Sequence, residues 1–436
     1  MAENEPVAEI DEALVAWDEA QTPPTSLWRH HEYLKFWAGQ TTSVFGSAIT
    51  GLALPLTAVS ILNATPGQMG LLSAAATLPF LLVGLFAGVW VDRSRRRPIL
   101  ISADAARALL VGSIPLAMAL GFLRIELLYV VEFLAGVASV FFDISYQSFL
   151  PNLVGREHLV EGNSKMEVSS SAAASAGPGL AGVLIRVLGA PFAIALDAVS
   201  FVISAASLAW IHTPEPQPPA PAERPGVRRE IIEGLHVVFD NRLLWHIAGC
   251  TGTSNLFSSM VGAVFVLYLS RQLRLTPETL GLIFAAGAPG FLIGALIAQR
   301  WAERLGVGPA IITSAILTSL AALLVPFARG PLLVLVGILM ISGFLVGIGN
   351  VVYNVTQVSL RQAITPGRLL GRMNASMRFL VWGTLPLGSL IGGALGQTIG
   401  VHQAIIVGAA GGLLSILWVL FSPLRTLKQQ PAPATE

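Results

Sequence analysis

Charge is what this sequence has least of. Asp, Glu, Lys and Arg make up 12% of its 436 residues, whereas soluble domains carry roughly 25%. Hydrophobic residues make up 54%, and mean hydropathy is +0.70. A soluble chain of two or three domains is thereby excluded. Lysine is rarer still: Lys35, Lys165 and Lys428 are the only three, and none follows a glycine. No phosphate-binding loop is therefore present, and ATP is not the direct energy source. Cysteine is reduced to Cys250, which rules out an intrachain disulfide and a thiolate metal cluster. The seven histidines are scattered, and His31-Glu32 lacks the second His of a zinc-protease helix. No metal, no cofactor and no enzyme active site are expected. A net charge of +1 gives no electrostatic case for a nucleic-acid partner. A basic start is missing too: residues 1–28 hold seven acids and no Lys or Arg, the opposite of a cleavable signal peptide.

What is present in abundance is long apolar runs. A membrane-spanning helix needs about 20 mostly apolar residues. Runs of that kind fall at 36–62, 68–91, 99–121, 126–148, 164–188, 190–211, 243–270, 278–299, 309–327, 331–356, 375–398 and 401–421. An even count places both ends of the chain on one side. With those ends inside, only Arg124, Arg186, Arg271, Arg274 and Arg329 fall at outer ends or loops, as the positive-inside rule predicts. The reading is an all-α polytopic inner-membrane protein, with both termini cytoplasmic and the lipid bilayer as its main partner.

The runs divide into halves. Residues 1–30 read as a disordered acidic tail, 31–211 as one six-helix half and 243–421 as a second, with 422–436 as a cytoplasmic tail. Between the halves, 212–242 holds a Pro-rich stretch, a stiff spacer. An amphipathic segment from Arg228 to Phe239 follows it, suited to the membrane interface or to a plain linker. The halves also repeat. Gly189, Ala193, Ile194, Ala198 and Ser204 recur as Gly400, Ala404, Ile405, Ala409 and Ser415, each 211 residues on. Transporters built of six-helix repeats place their site at the midplane between two rocking halves.

The loop after the second run reads Gly88-Val-Trp-Val-Asp92-Arg93-Ser-Arg95-Arg96-Arg97-Pro98. Its arginines serve as a positive-inside anchor. Asp92 needs more, because a helix C-terminus disfavours a carboxylate. Gly88, one turn earlier, would let a second helix come close. In the fifth run, Ala176-Gly177-Pro178-Gly179-Leu180-Ala181-Gly182 offers a bend and a flat packing face, and Pro386, Gly388, Gly392 and Gly393 form a partial counterpart in the eleventh.

These passages resemble the major facilitator superfamily. Gly88, Asp92, Arg93, Arg96 and Arg97 match its loop signature, although the family usually has a glycine where this chain has Arg95. Gly177, Pro178 and Gly182 look like the signature of its exporter branches. Trp37-Ala-Gly-Gln40, Phe141-Phe-Asp143-Ile-Ser-Tyr-Gln147 and Leu196-Asp197-Ala-Val-Ser-Phe201 are similar to the drug and siderophore exporters, the macrolide- and enterobactin-efflux group. The resemblance covers roughly residues 27–425. It implies twelve transmembrane helices in two repeats, acting as a monomer. It also implies that Asp92 meets the N-terminus of the eleventh helix to hold the cytoplasmic gate shut.

Acids inside a membrane are costly and are functional candidates by default. Asp104, Glu132, Asp143, Glu167 and Asp197 all lie in the first half. Asp104 precedes Arg107 by three residues, the spacing of an ion pair on one helix. Asp143 and Glu167, near inner helix ends, suit pairing with loop arginines. Asp197 falls on a helix that the family places at the periphery and reads as architectural. Glu132 has no charged residue within four positions and leads as the proton carrier, with Asp143 and Asp104 behind it. Gln40, Asn255, Asn350 and Asn354 are the polar candidates for a small-molecule cavity. The expected function is proton-coupled efflux of small amphiphilic molecules such as a drug or siderophore. Nutrient uptake by the same fold and a transport-inactive sensor are the alternatives. Reporter fusions within 212–240 and at the C-terminus should report cytoplasm, and fusions near Thr65 or Arg329 the outer side. A cytoplasmic signal at Thr65 would overturn the orientation.

Overall fold

A chain crossing a bilayer must satisfy its own peptide groups, and a helix does so within one segment. The computed structural model describes residues 26–155, 157–213, 215, 227–366 and 369–428; the side chains of Leu85, Val89, Asp92 and residues 227–231 lie outside that description. Among the described residues every regular element is a helix. The spans are α1 (His31–Ile61), α2 (Pro66–Leu82, resuming after Val83 as Gly84–Asp92), α3 (Arg96–Ala119), α4 (Ile125–Val154), α5 (Leu159–Leu188) and α6 (Ala190–Ala209). They continue as α7 (Arg242–Gln272), α8 (Pro277–Leu305), α9 (Val307–Phe327), α10 (Leu332–Ile364), α11 (Leu370–Thr398) and α12 (Val401–Leu420). All but α2 are long and apolar enough to cross a membrane in one run; α2 is interrupted at Val83 and crosses in two pieces. Large apolar side chains face outward, with Leu109 78% and Leu333 85% exposed, as suits contact with lipid tails.

The repeat read from the sequence is also geometric. α1 and α7 both end in a π-turn, Thr57–Ile61 and Tyr268–Gln272, 211 residues apart. Asn63 and Arg274, again 211 apart, are the two non-glycine residues with positive φ among those described, each at 53°. Thr65 and Thr276 then cap α2 and α8, with Pro66 and Pro277 in the first turn, where proline's missing N–H costs nothing. Gly189 and Gly400 open α6 and α12 at φ 86° and 95°, a backbone region in which only glycine is unstrained.

The halves meet at one end. Far from the termini a single apolar core runs through both, from Ile49, Leu72 and Ile194 to Val264, Leu280 and Ile405. At the termini end each half keeps its own core: Tyr33, Phe36, Leu100 and Phe149 in the first, Leu244, Ile311, Met377 and Leu424 in the second. Glycine makes the far-end contact possible. A Cβ on Gly70 of α2 would strike Gly393 of α11, and one on Gly182 of α5 would strike the backbone of Pro277 and Glu278 of α8. The proposed exporter residues thus build helix contacts, Gly177 against Ala48 of α1 and Gly182 across the seam. Pro178 lies within an unbroken α5.

Three expectations change. A side chain at Gly88 would meet no described atom within 4 Å, so no close helix approach occurs there. Arg95 has φ −68°, and that loop has no position where only glycine fits. Of the tail expected over 1–30, residues 1–25 lie outside the described ones, but Ser26–His30 pack. Leu27 is buried, and Ser26 Oγ and Leu27 N donate to Glu161 of α5 at 3.1 Å. In the linker, 214 and 216–226 lie outside the description. Its helix Val227–Asp240 docks on α11, with Gly234 against Arg372 and Ser376 and Glu233 2.7 Å from Arg372. Overpacking a tight helix contact costs about 1–3 kcal/mol. Gly392→Val, aimed at the Met260 carbonyl, should lower the unfolding midpoint of the purified protein. Gly179→Ala, facing open space, should not.

Candidate functional site

One face of α4 organises the centre of the molecule. Val131, Glu132, Ala135, Gly136 and Ser139 recur at helical spacing and line a cavity of about 450 Å³. α1 adds Ser47, Thr50 and Leu54, α2 adds Met69, Leu72 and Phe80, and α7 closes one wall with Gly262, Ala263 and Val266. The lining is mostly apolar, yet three ionisable residues reach it: Glu132, Arg107 of α3 and Asp197 of α6. Asp197 is therefore not purely architectural. Its carboxylate accepts from Ser200 Oγ at 3.1 Å and Ser47 Oγ at 3.4 Å.

Arg107 is held by an acid and two aromatic rings. It pairs with Asp104, as the three-residue spacing suggested, and lies 4.3 Å from the Phe142 ring centre and 4.4 Å from that of Phe201. The other Asp104 oxygen accepts from Ser204 Oγ at 2.6 Å, and Gln40 donates to that serine at 2.8 Å. Asp104 is fully buried. Stripping one partner from a buried pair costs about 3–5 kcal/mol, so Asp104 belongs to the scaffold of the site.

Toward the termini two more cavities follow along α4. A small one of about 130 Å³ shares Phe80 with the centre and adds Asp143, Arg378, Phe379 and Trp382. A wide one of about 740 Å³ shares Asp143 and adds Gln40, Tyr146 and Glu167. Asp143 and Arg378 of α11 thus line the same cavity. Phe80 and Trp382 meet edge-on across the seam, 5.3 Å between ring centres. Asn255, Asn350 and Asn354 gather elsewhere, in a pocket of about 70 Å³ wholly inside the second half.

The gating loop is legible only in part. The Asp92 side chain lies outside the described residues, so its contact with α11 stays an expectation. Arg97 caps the end of α6, donating from Nε to Leu208 O at 2.9 Å and from Nη2 to Ala209 O. Glu215 caps the start of α3, accepting from the backbone N–H groups of Arg96 and Arg97, where a helix dipole favours an anion.

The sequence reading missed the closure at the far end. Arg271 donates from Nη1 to Ala64 O at 2.9 Å and from Nη2 to Val59 O at 2.7 Å, across the seam. Arg186 of α5 lies 3.0 Å from Glu278 of α8. A signal existed: Arg186 and Arg271 are two of the five basic residues that break the positive-inside pattern.

Two six-helix halves joined at one end, with a partly charged cavity at their centre, define a secondary transporter of the major facilitator type. The family model described as transmembrane secretion effector matches residues 22–435, and the chain belongs to that family. It is 26% identical over 413 residues to macrolide efflux protein A of Streptococcus pyogenes, covering 91% of this chain and 97% of that one. Multidrug efflux pump Tap of Mycolicibacterium fortuitum is 28% identical over 405 residues, with 90% and 96% covered. Enterobactin exporter EntS of Escherichia coli O127:H6 is 26% identical over 420 residues, with 93% and 95% covered. The fold matches a bacterial homologue of ferroportin at a TM-score of 0.72 in its inward-facing crystal structure, 18% identical, covering 89% of this chain and 98% of that one. The outward-facing structure of that homologue gives 0.59 at 19% identity, with the same coverage. The chain is an efflux-type secondary transporter and a multi-pass membrane protein.

The Arg271 contacts set a prediction. Hydrogen bonds to a charged group are worth about 1.5–3 kcal/mol, and a loss of 1–3 kcal/mol shifts a two-state equilibrium roughly 5- to 150-fold. Arg271→Ala should open the far end, so that a cysteine placed at Ser73 is alkylated faster by a reagent added from that side. An unchanged rate means that apolar packing alone keeps the far end closed.

Proposed function

We propose that this chain exports small amphiphilic molecules from a bacterial cell by alternating access, coupled to proton entry, with Glu132 and Asp197 as the proton-holding groups. One observation carries the reading: two acidic residues line a mostly apolar cavity within the roughly 300–1,000 Å³ range of small-molecule sites. An acid kept in a membrane interior is the usual material of a proton relay. The relatives support the cargo class, since their names record macrolides, enterobactin and multiple drugs. In this reading the protein works as a monomer in the inner membrane, its termini cytoplasmic. The structure is then the inward-open state, with its wide cavity facing the cytoplasm. Asp92 at the inner end of α2 would steady the opposite, outward-open state.

Cells expressing the wild type should accumulate less of a lipophilic drug, and a protonophore should abolish the difference. Glu132→Gln should remove proton-driven efflux by tenfold or more while drug binding to the purified protein stays measurable. Efflux that persists with the protonophore, or pH-dependent transport unchanged in Glu132→Gln, removes the proton-holding role. Higher accumulation than in control cells would mean uptake.

A further inference from the structure

The repeat lets one half be read against the other. Moved by 211 residues, Gln40 falls on Thr251, Ser204 on Ser415, Asp104 on Ala315 and Arg107 on Thr318. The first half fills this place with its buried ion pair. The second half has small uncharged residues there, and a pocket of about 70 Å³ remains, reached by Thr251, Thr318, Asn350, Tyr353 and Ser415. No acid or base lines it. Asn350 and Asn354 are exposed, so the pocket is open on the side of α10.

The hydrogen bonds fix what the pocket offers. Thr318 Oγ1 donates to Ser314 O at 3.0 Å and Ser415 Oγ to Gly412 O at 2.7 Å. Thr251 Oγ1 donates to Ile247 O at 2.9 Å, so Tyr353 donates to Thr251 in their 2.7 Å contact. The Asn255 amide donates to Val381 O at 2.8 Å. With those protons committed, the free valences facing the pocket are mostly oxygen lone pairs, together with the donors of the Ser254 hydroxyl, the Cys250 thiol and the Asn350 amide. Such a lining selects neutral groups that carry an O–H or N–H donor. The volume, far below that of a drug-sized site, admits one substituent of a larger molecule.

We propose that this second-half pocket is a subsite for a neutral hydroxyl- or amide-bearing arm of the transported molecule, and that it sets specificity for hydroxyl-rich over hydroxyl-free cargo. The proposal rests on the export reading for its cargo but is tested separately, by equilibrium binding. Two probes are compared on full-length protein in lipid nanodiscs: erythromycin, rich in hydroxyls, and tetraphenylphosphonium, which has none. Thr318→Val keeps the shape and removes the lone pairs. It should weaken erythromycin binding about three- to tenfold and leave tetraphenylphosphonium within twofold. Thr318→Ser should restore the wild-type value, and Asn350→Leu should act as Thr318→Val does. Equal weakening of both probes, no weakening of either, or no erythromycin binding to the wild type overturns the subsite. Erythromycin that binds with this pattern, yet is not moved outward by cells, leaves the subsite standing and overturns export.

Discussion

The two halves are held together by one layer of apolar side chains at the end opposite the termini, and most of what the molecule can do depends on that. Lipid offers no hydrophobic drive for helices to associate, so close packing must supply it. Bare backbone at Gly70, Gly182, Gly281 and Gly393 lets α2 reach α11 and α5 reach α8. A Cβ at any of them would push the halves apart at the place where they share a core. Because the termini end has no such shared layer, the halves can separate there without exposing a common interior. Arg271 adds a polar closure to the apolar one, and polar contacts are the ones that exchange for water at least cost when a gate opens.

Much of this architecture was legible in the sequence, and the reason is physical. Bilayer thickness imposes run length, so each of the twelve apolar runs became a span. The 211-residue offset survived because the repeated positions do backbone work: Gly189 and Gly400 both need positive φ. What could not be read was the direction in which a polar side chain points. Asp197 sits on a helix expected at the periphery, yet it lines the central cavity, and Gly46 of α1 leaves room for its carboxylate. Arg107 looked like the partner of Asp104 and nothing more, but two aromatic rings also steer it to the cavity wall. Gln40 was grouped with three asparagines as lining of one cavity; the asparagines share a pocket in the second half, whereas Gln40 lines the wide cavity in the first.

The halves share a backbone plan and differ in charge. In the first, a buried ion pair is surrounded by Ser204, Gln40 and two aromatic rings. Such a network tolerates little change, since each member left alone would be an unsatisfied polar group in a low-dielectric interior. In the second half the same positions hold residues that bond to their own helix. They constrain one another less and leave space. One copy of the repeat is therefore suited to holding charge, the other to accepting a variable neutral group.

The order of the cavities ties that division to movement. Phe80 borders both the central and the small cavity, and Asp143 borders both the small and the wide one. The three cavities are thus adjoined at these two side chains. Phe80 leans on Trp382 of the other half, and Trp382 in turn lies under Arg378, 4.7 Å from its ring centre. A relative motion of α2 and α11 cannot leave that stack unchanged.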